Sequence, residues 1–319
     1  MCGIVGYIGF QKASPILLAG LAKLEYRGYD SAGIATLEGE KIKVCKDKGR
    51  VENLYKLDET KKLEGSIGIA HTRWATHGIP SKINSHPHMD NSESIAIVHN
   101  GIIENYIELK NMLIKNGYHF ISDTDTEIIP NLIHYYYNKD TKNDDLKLLR
   151  AVKTTCDSLI GSFSLEVLSK YMPNNMIVVR KDSPLVVGKG NGENYVASDI
   201  PAILSYTKDF YLLNNYEYVL LSRDNIKFYD KDLKEISKET TLITWDAMAA
   251  DKDGFEDYML KEIMEQPKAI RETIGSRLDG NKCNFIELDS GFTKEYLSSL
   301  HQIYIVACGT AMHVGLCVK

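Results

Sequence analysis

In MCGIVGYIG a thiol stands directly behind the initiator methionine. If Met1 is removed, Cys2 carries both that thiol and a free α-amine. An α-amine has an ordinary pKa of about 7.7–8, so part of it is neutral near pH 7 and can take a proton. A nucleophile and a base on one residue are enough to begin covalent catalysis. The competing reading is structural. Free cysteine is a small residue that is often buried, and Ile4, Val5, Tyr7 and Ile8 beside it have the β-branched and aromatic character of a strand.

Four other segments combine glycine with polar residues in ways that packing does not require: EYRGYDSAGIA, HTRWATHG, HNGIIEN and SDTDTE. Each is expected where an element gives way to a loop, the usual place for functional groups. Arg73 could clamp a carboxylate with two nitrogens, or be an ordinary surface arginine. Trp74 is either a core aromatic or a lid over a small ligand. Asn100-Gly101 could form a hairpin turn. Because a helix is expected to follow, an oxyanion hole built from the Asn amide and the Gly N–H competes well with that turn. Of Asp123 and Asp125, one is expected to cap the next helix and the other could hold an ammonium group. His71, His77, His86, His88 and His99 match no HExxH or zinc spacing, so they read as loop or core hydrogen-bonding groups and no metal is expected. The inventory suits acyl transfer on a free amino acid that carries a side-chain amide, for which glutamine is the obvious substrate.

The elements that must hold these groups are mostly short strands. Candidates are residues 3–8, 33–37, 42–45, 67–71, 95–99, 162–168, 176–180, 195–198 and 219–222, bounded largely by Gly, Asp or Asn. Ser14-Pro15 reads as an N-cap and first helical residue, with the helix stopping near Gly28. Ile102, Tyr106, Leu109 and Leu113 mark one face of a second helix ending at Gly117. Further helices are expected over 126–137 and 145–159. Strand-rich stretches with segregated helices favour an α+β layered sandwich over a doubly wound sheet. After about Thr240 the pattern turns helical, with a break or kink expected at Pro267. Then IYIVACGTAMHVG reads as a buried parallel strand at 303–307, followed by a turn and a helix N-terminus suited to an anion. With no further strand after it, the sequence looks cut at the start of a second domain.

The bulk numbers narrow the function classes. A length of 319 residues suggests about two domains. The net charge of -5 is spread along the chain without a long basic run, which argues against nucleic acid or an anionic membrane as partner. No stretch approaches a membrane span, and the N-terminus lacks a signal-peptide pattern. Cys2, Cys45, Cys156, Cys283, Cys308 and Cys317 form no regular framework and read as reduced thiols of a cytoplasmic protein.

CGIVGYIG, LEYRGYDSAGIA, AHTRWATHG, HPH, VHNGIIENY, SDTDTE and YMLKEIMEQP together resemble the class II, N-terminal nucleophile glutamine amidotransferases. The resemblance runs from end to end, and is closest to the branch whose acceptor is fructose 6-phosphate. The branch with a phosphoribosyl acceptor resembles RGQ where this chain has Arg27-Gly28-Tyr29. The resemblance implies a four-layer αββα sandwich over residues 2–239, a helical linker over 240–300 and the first strand and loop of an α/β sugar isomerase (SIS) domain over 301–319. It implies Cys2 as nucleophile and Asn100 and Gly101 as oxyanion hole. Glutamine would be held by Arg73, Gly101 and Asp125 under Trp74, Thr76 and His77, with Arg27 and His86 in support. No cofactor is implied. Thr310 would be a vestigial sugar-phosphate contact, since Ala311 stands where relatives often carry Ser. Fructose 6-phosphate and a homodimer formed through the isomerase domain are implied only for a longer enzyme. The chain itself is expected to release glutamate without forming amino sugar. A reading from another class remains beside this one, a catalytically silent sugar-phosphate-binding fragment built on the CGT turn.

Overall fold

The computed structural model describes residues 2–75, 77–244, 255, 258–275, 278–279, 282–283, 293–307 and 309–317. The chain forms two compact units, Met1–Asp251 and Lys252–Lys319.

The first unit contains two antiparallel sheets. One has eight strands in the order β15 (Thr241–Leu242), β11 (Asp209–Leu212), β9 (Val186–Lys189), β10 (Asn194–Ala197), β1 (Gly3–Ile8), β4 (Ile67–Arg73), β2 (Ser31–Glu38) and β3 (Lys41–Lys48). The other has seven, in the order β14 (Glu235–Ile236), β13 (Ile226–Tyr229), β12 (Tyr218–Ser222), β8 (Asn175–Lys181), β7 (Gly161–Ser169), β6 (Ile95–Ile103) and β5 (His88–Met89). Side chains alternate across each strand, and both faces of both sheets are covered. In β1, Ile4 and Ile8 enter a core shared with Ala96 and Val98 of β6, so this core lies between the sheets. Val5 and Tyr7 point the other way, onto helix α1 (Ala13–Lys23) and the short α2 (Val51–Lys56). A short α3 (Asp58–Lys61) follows. Ile95 and Ile97 of β6 pack outward on α4 (Tyr106–Lys115), α5 (Ile128–Lys139) and α6 (Lys147–Ser158). The layers are therefore helix, sheet, sheet, helix. Each fully buried Leu or Ile in them stabilises by roughly 1.5–3 kcal/mol.

All nine strands expected within residues 3–222 are present, most of them longer by a few residues. Several details differ. Helix α1 begins at Ala13 rather than after a Ser14 cap, and the Ser14 hydroxyl donates instead to the Leu63 carbonyl. Neither Asp123 nor Asp125 caps α5, whose N-cap is Glu127 with no side-chain bond. Asn100, Gly101 and Ile102 belong to β6 and not to a turn and a helix. There Gly101 pairs with Phe163 and Ile102 with Ser162 of β7. That ladder carries the strand two residues beyond the Asn-Gly pair, and α4 starts only at Tyr106.

In the second unit, α7 (Tyr258–Gly275) runs through Pro267 without a break. A two-stranded pair, β16 (Leu278–Asp279) and β17 (Lys282–Cys283), precedes α8 (Lys294–Ser299) and α9 (Gly309–Cys317). The parallel strand expected at 303–307 does not form: these residues lie in no strand, and Val306 is 96% exposed. A strand exists through ladder bonds to a neighbour, and among the described residues none pairs with this segment.

Candidate active site

Strand periodicity alone brings the polar groups together. Counting by twos from the inward-facing Ile4, Ile69 and Val98 leads to Cys2, to His71 and Arg73, and to Asn100. All four therefore stand at one end of the layer between the sheets. The β1–β4 register pairs Gly3 with Thr72, which sets Cys2 beside Arg73 and Trp74. The Trp74 N–H donates to the Cys2 sulfur at 3.2 Å. Gly28 presses on this corner. A Cβ there would stand 2.7 Å from the Arg73 carbonyl carbon, so the close approach requires glycine.

The Cys2 backbone is fixed from two sides. Its carbonyl oxygen accepts from Arg27 Nε at 3.0 Å and from Asn100 Nδ2 at 3.0 Å. Arg27 is in turn paired with Asp199 at 3.1 Å. Burial pushes the Cys2 thiol above its ordinary pKa, and the Trp74 N–H offsets only part of that. A neutral resting thiol of this kind needs a base before it can attack.

One cavity is lined by Cys2, Arg73, Trp74, His77, Gly101 and Asp125, with His86 at its wall. Arg73 is 4% exposed, which rules out the surface reading. Its Nη2 donates to the His77 and Gly78 carbonyls, while Nη1 is buried with no acceptor among the described residues. Trp74 is 49% exposed and stands edge-on to Tyr29, which rules out the core-aromatic reading. Gly101 has φ +135°, a region that favours glycine, and a Cβ there would collide with the Ser162 carbonyl oxygen at 2.0 Å. Asp125 Oδ2 accepts from the Ile103 N–H at 2.8 Å, whereas the Asp123 backbone N–H donates away from the cavity to Asn84 Oδ1. Thr76 lies outside the described residues. Thr310 falls in α9 of the second unit, and its side chain is also outside them.

Behind the cavity the histidines form a buried group. His71 and His86 stack at 4.0 Å with 12° between their planes, and His86 meets His88 edge-on at 4.8 Å. Burial lowers the pKa of all four, His71, His86, His88 and His99, with His71 brought to about 3, so their rings are neutral at neutral pH. Among the described residues no group of three or more His, Cys, Asp or Glu is placed to hold a metal ion. No described helix is long and apolar enough to cross a membrane.

The residue reading assigned nothing to Asp30 or Asp199, and gave His71 only a general hydrogen-bonding role. Asp30 accepts from the Ala75 N–H, and its charge helps to raise the Cys2 thiol. Its signal was present in RGYD, but nothing in the spacing tied it to residue 75. The Asp199 partnership with Arg27 spans 172 residues and has no local signal at all.

Residues 71–205 match the family model described as a glutamine amidotransferase domain. Over all 319 residues the chain is 52% identical to the glutamine–fructose-6-phosphate aminotransferase (isomerizing) of Clostridium perfringens. It is 46% identical to the protein of that name from Aquifex aeolicus and 43% identical to that from Methanosarcina acetivorans. It covers 51%, 51% and 52% of these three proteins, so the chain spans about half the length of the curated relatives it matches. Among solved structures it is similar to the glutamine phosphoribosylpyrophosphate amidotransferase of B. subtilis, with TM-score 0.62 and 26% identity. That match covers 73% of this chain and 50% of the other. The sandwich of two antiparallel sheets is thus the fold of the N-terminal nucleophile amidotransferases.

Proposed function

We propose that the chain, whose residues 71–205 match the glutamine amidotransferase domain, hydrolyses glutamine to glutamate and ammonia through Cys2. The observation that carries this reading is a buried cationic nitrogen that meets no acceptor among the described residues. Arg73 lines the same cavity as Cys2, and its Nη1 meets no acceptor among the described residues, which suits a substrate carboxylate.

In this mechanism the α-carboxylate sits on Arg73, and the α-ammonium near Asp125 and Gly101. Trp74, Thr76 and His77 close over the amino acid, and Arg27 and His86 hold the surroundings. Removal of Met1 exposes the α-amine, which takes the thiol proton. The sulfur then attacks the amide carbon, forming a C–S bond. The negative charge on the amide oxygen is met by Asn100 Nδ2 and the Gly101 N–H. The C–N bond breaks as the proton passes to the departing nitrogen, leaving a glutamyl thioester. Water cleaves the thioester, aided by the same amine, and restores the thiol.

For the longer protein, the printed name of the relatives supports transfer of the ammonia to fructose 6-phosphate. Residues 2–239 would then act as the glutaminase domain, 240–300 as linker, and 301–319 with Thr310 as the start of a sugar isomerase domain through which a homodimer forms. A phosphoribosyl acceptor has less support, because that likeness is 26% over part of the chain against 52% over all of it. A cytoplasmic location fits this chemistry and the free thiols of Cys2, Cys45, Cys156 and Cys317.

The test is glutamate release from glutamine, followed together with the mass of the N-terminus. Wild type should be active and begin at Cys2, and Cys2→Ala should bind glutamine without turning it over. Full activity in Cys2→Ala, or in a sample retaining Met1, would overturn the assignment.

A further inference from the structure

His71 has no place in the reaction just described, yet it touches one of the groups that do. Its Nε2 lies 3.0 Å from the His99 carbonyl oxygen and 3.0 Å from Asn100 Oδ1. A carbonyl oxygen can only accept, so the His99 contact requires the ring proton on Nε2. With that proton fixed, the end of the Asn100 amide facing His71 must be the oxygen. The other end, Nδ2, then faces Cys2 and donates to its carbonyl oxygen at 3.0 Å. A flipped amide would set NH2 against the Nε2–H and Oδ1 against the Cys2 oxygen at the same time. One amide orientation satisfies every contact.

The ring that makes this choice is itself held. His86 stacks on it at 4.0 Å, and His86 Nδ1 accepts from the His99 backbone N–H at 3.3 Å. The two stacked rings therefore grip both polar groups of the His99 backbone, one residue before Asn100. His71 is fully buried, and its Nδ1 has no partner among the described residues. Among the described residues the proton therefore has no second place where it would make a hydrogen bond.

We propose that His71 is a positioning residue that turns the Asn100 amide so that its NH2, and not its oxygen, faces the reacting centre. The inference rests on the oxyanion role given above to Asn100. It adds that the role depends on a tautomer set in the facing sheet, since His71 is on β4 and Asn100 on β6.

The experiment combines kinetics with NMR on the full chain. His71→Asn, whose shorter amide cannot reach Oδ1, should lower kcat about 10- to 100-fold with KM for glutamine within about twofold. His71→Gln keeps an N–H near the position of Nε2 and should recover most of that loss. In an Asn100→Ala background, His71→Asn should cost nothing further, because its effect passes through the missing amide. Nitrogen-15 spectra of labelled histidine, with His71 assigned by its loss in His71→Gln, should show a neutral ring protonated on Nε2. A proton on Nδ1 would overturn the proposal. So would an undiminished loss in the Asn100→Ala background, or a loss in KM alone. If Asn100→Ala itself left kcat unchanged, the oxyanion reading would fall, and the nitrogen-15 result would still decide the tautomer. Should His71→Asn fail to fold, His71→Gln and the spectra carry the test.

Discussion

Two sets of buried ionisable groups lie in this sandwich, and they are treated differently. At the Cys2 end, each of the four histidines makes at least one hydrogen bond: His71 to Asn100, His86 to the His99 N–H, His88 to Thr124 and His99 to Thr126. Further along the same inter-sheet layer, Glu166 of β7 is fully buried, and neither carboxyl oxygen has a partner among the described residues. It faces Gly6 of β1, where the missing side chain leaves the carboxyl its room. Burial raises its pKa well above the ordinary 4.5 and keeps it protonated. An unpaired buried polar group costs about 1–3 kcal/mol. The first set is therefore hydrogen-bonded in place beside the proposed site, and Glu166 is a tolerated cost in the core.

Kinetics should break this comparison first if it is wrong. Asn100→Ala should lower kcat by about 10²–10³-fold, the effect of losing one oxyanion donor. Arg73→Ala should act mainly on KM, because the proposed contact with the carboxylate would exist before and during the reaction. Glu166→Met should leave both constants within about twofold. A large kcat loss in Glu166→Met would mean that the core carboxyl belongs to the site.

Stability against pH should then separate the two sets by sign. The histidines have folded pKa values below their unfolded ones, so the unfolded chain takes up protons first. Stability present above about pH 6.5 is lost as pH falls, through a window that reaches about 3 for His71, at roughly 1.4 kcal/mol per pH unit for each ring. Glu166 works in reverse. Its folded pKa is raised, so its contribution is whole below 4.5 and is lost as the pH rises from there toward the folded pKa. Glu166→Met should stabilise by about 1–3 kcal/mol near pH 5, and the gain should grow with pH. His88→Gln should instead flatten the acid limb. Denaturant midpoints measured from pH 5 to 8 decide both, and a gain in Glu166→Met that did not vary with pH would show that the carboxyl ionises in the core.

The sequence was legible where one rule governed and misleading where two competed. Residues 3–8 were read to the residue, because a continuous apolar run between glycine-rich turns has one interpretation. At Asn100-Gly101 the sequence points to the end of a strand, because the dipeptide is a turn signal and Ile102 shares helical spacing with Tyr106 and Leu109. Pairing with β7 overrode both. The reading left Arg73 and Trp74 each with two meanings that only burial could separate. His71 was recognised as a core hydrogen-bonding group, but its partner depends on which strands become neighbours. Glu166 left no signal. In SFSLEVLS the alternation of Phe163, Leu165 and Val167 with Ser164 and Glu166 looks like one buried and one wet face. Here the second sheet covers the face that should be wet.

The smallest effect concerns the contact that accommodates Glu166. Gly6 has no positive φ, so its backbone accepts any residue, and the reason for glycine must be space. A Cβ at Gly6 would stand 2.7 Å from Glu166 Oε2, closer than real contacts allow. Gly6→Ala in the wild-type background should therefore destabilise by about 1–3 kcal/mol, the usual cost of overpacking a core. With Glu166→Ala present the clash is gone. The same change should then be neutral, or stabilising by about 0.4–1 kcal/mol through reduced freedom of the unfolded chain. The sign of Gly6→Ala thus depends on residue 166, and a double-mutant cycle by denaturant unfolding reads the coupling directly. Equal destabilisation in both backgrounds would mean that some other neighbour of Gly6 requires the glycine, and that Glu166 merely fills the space it leaves.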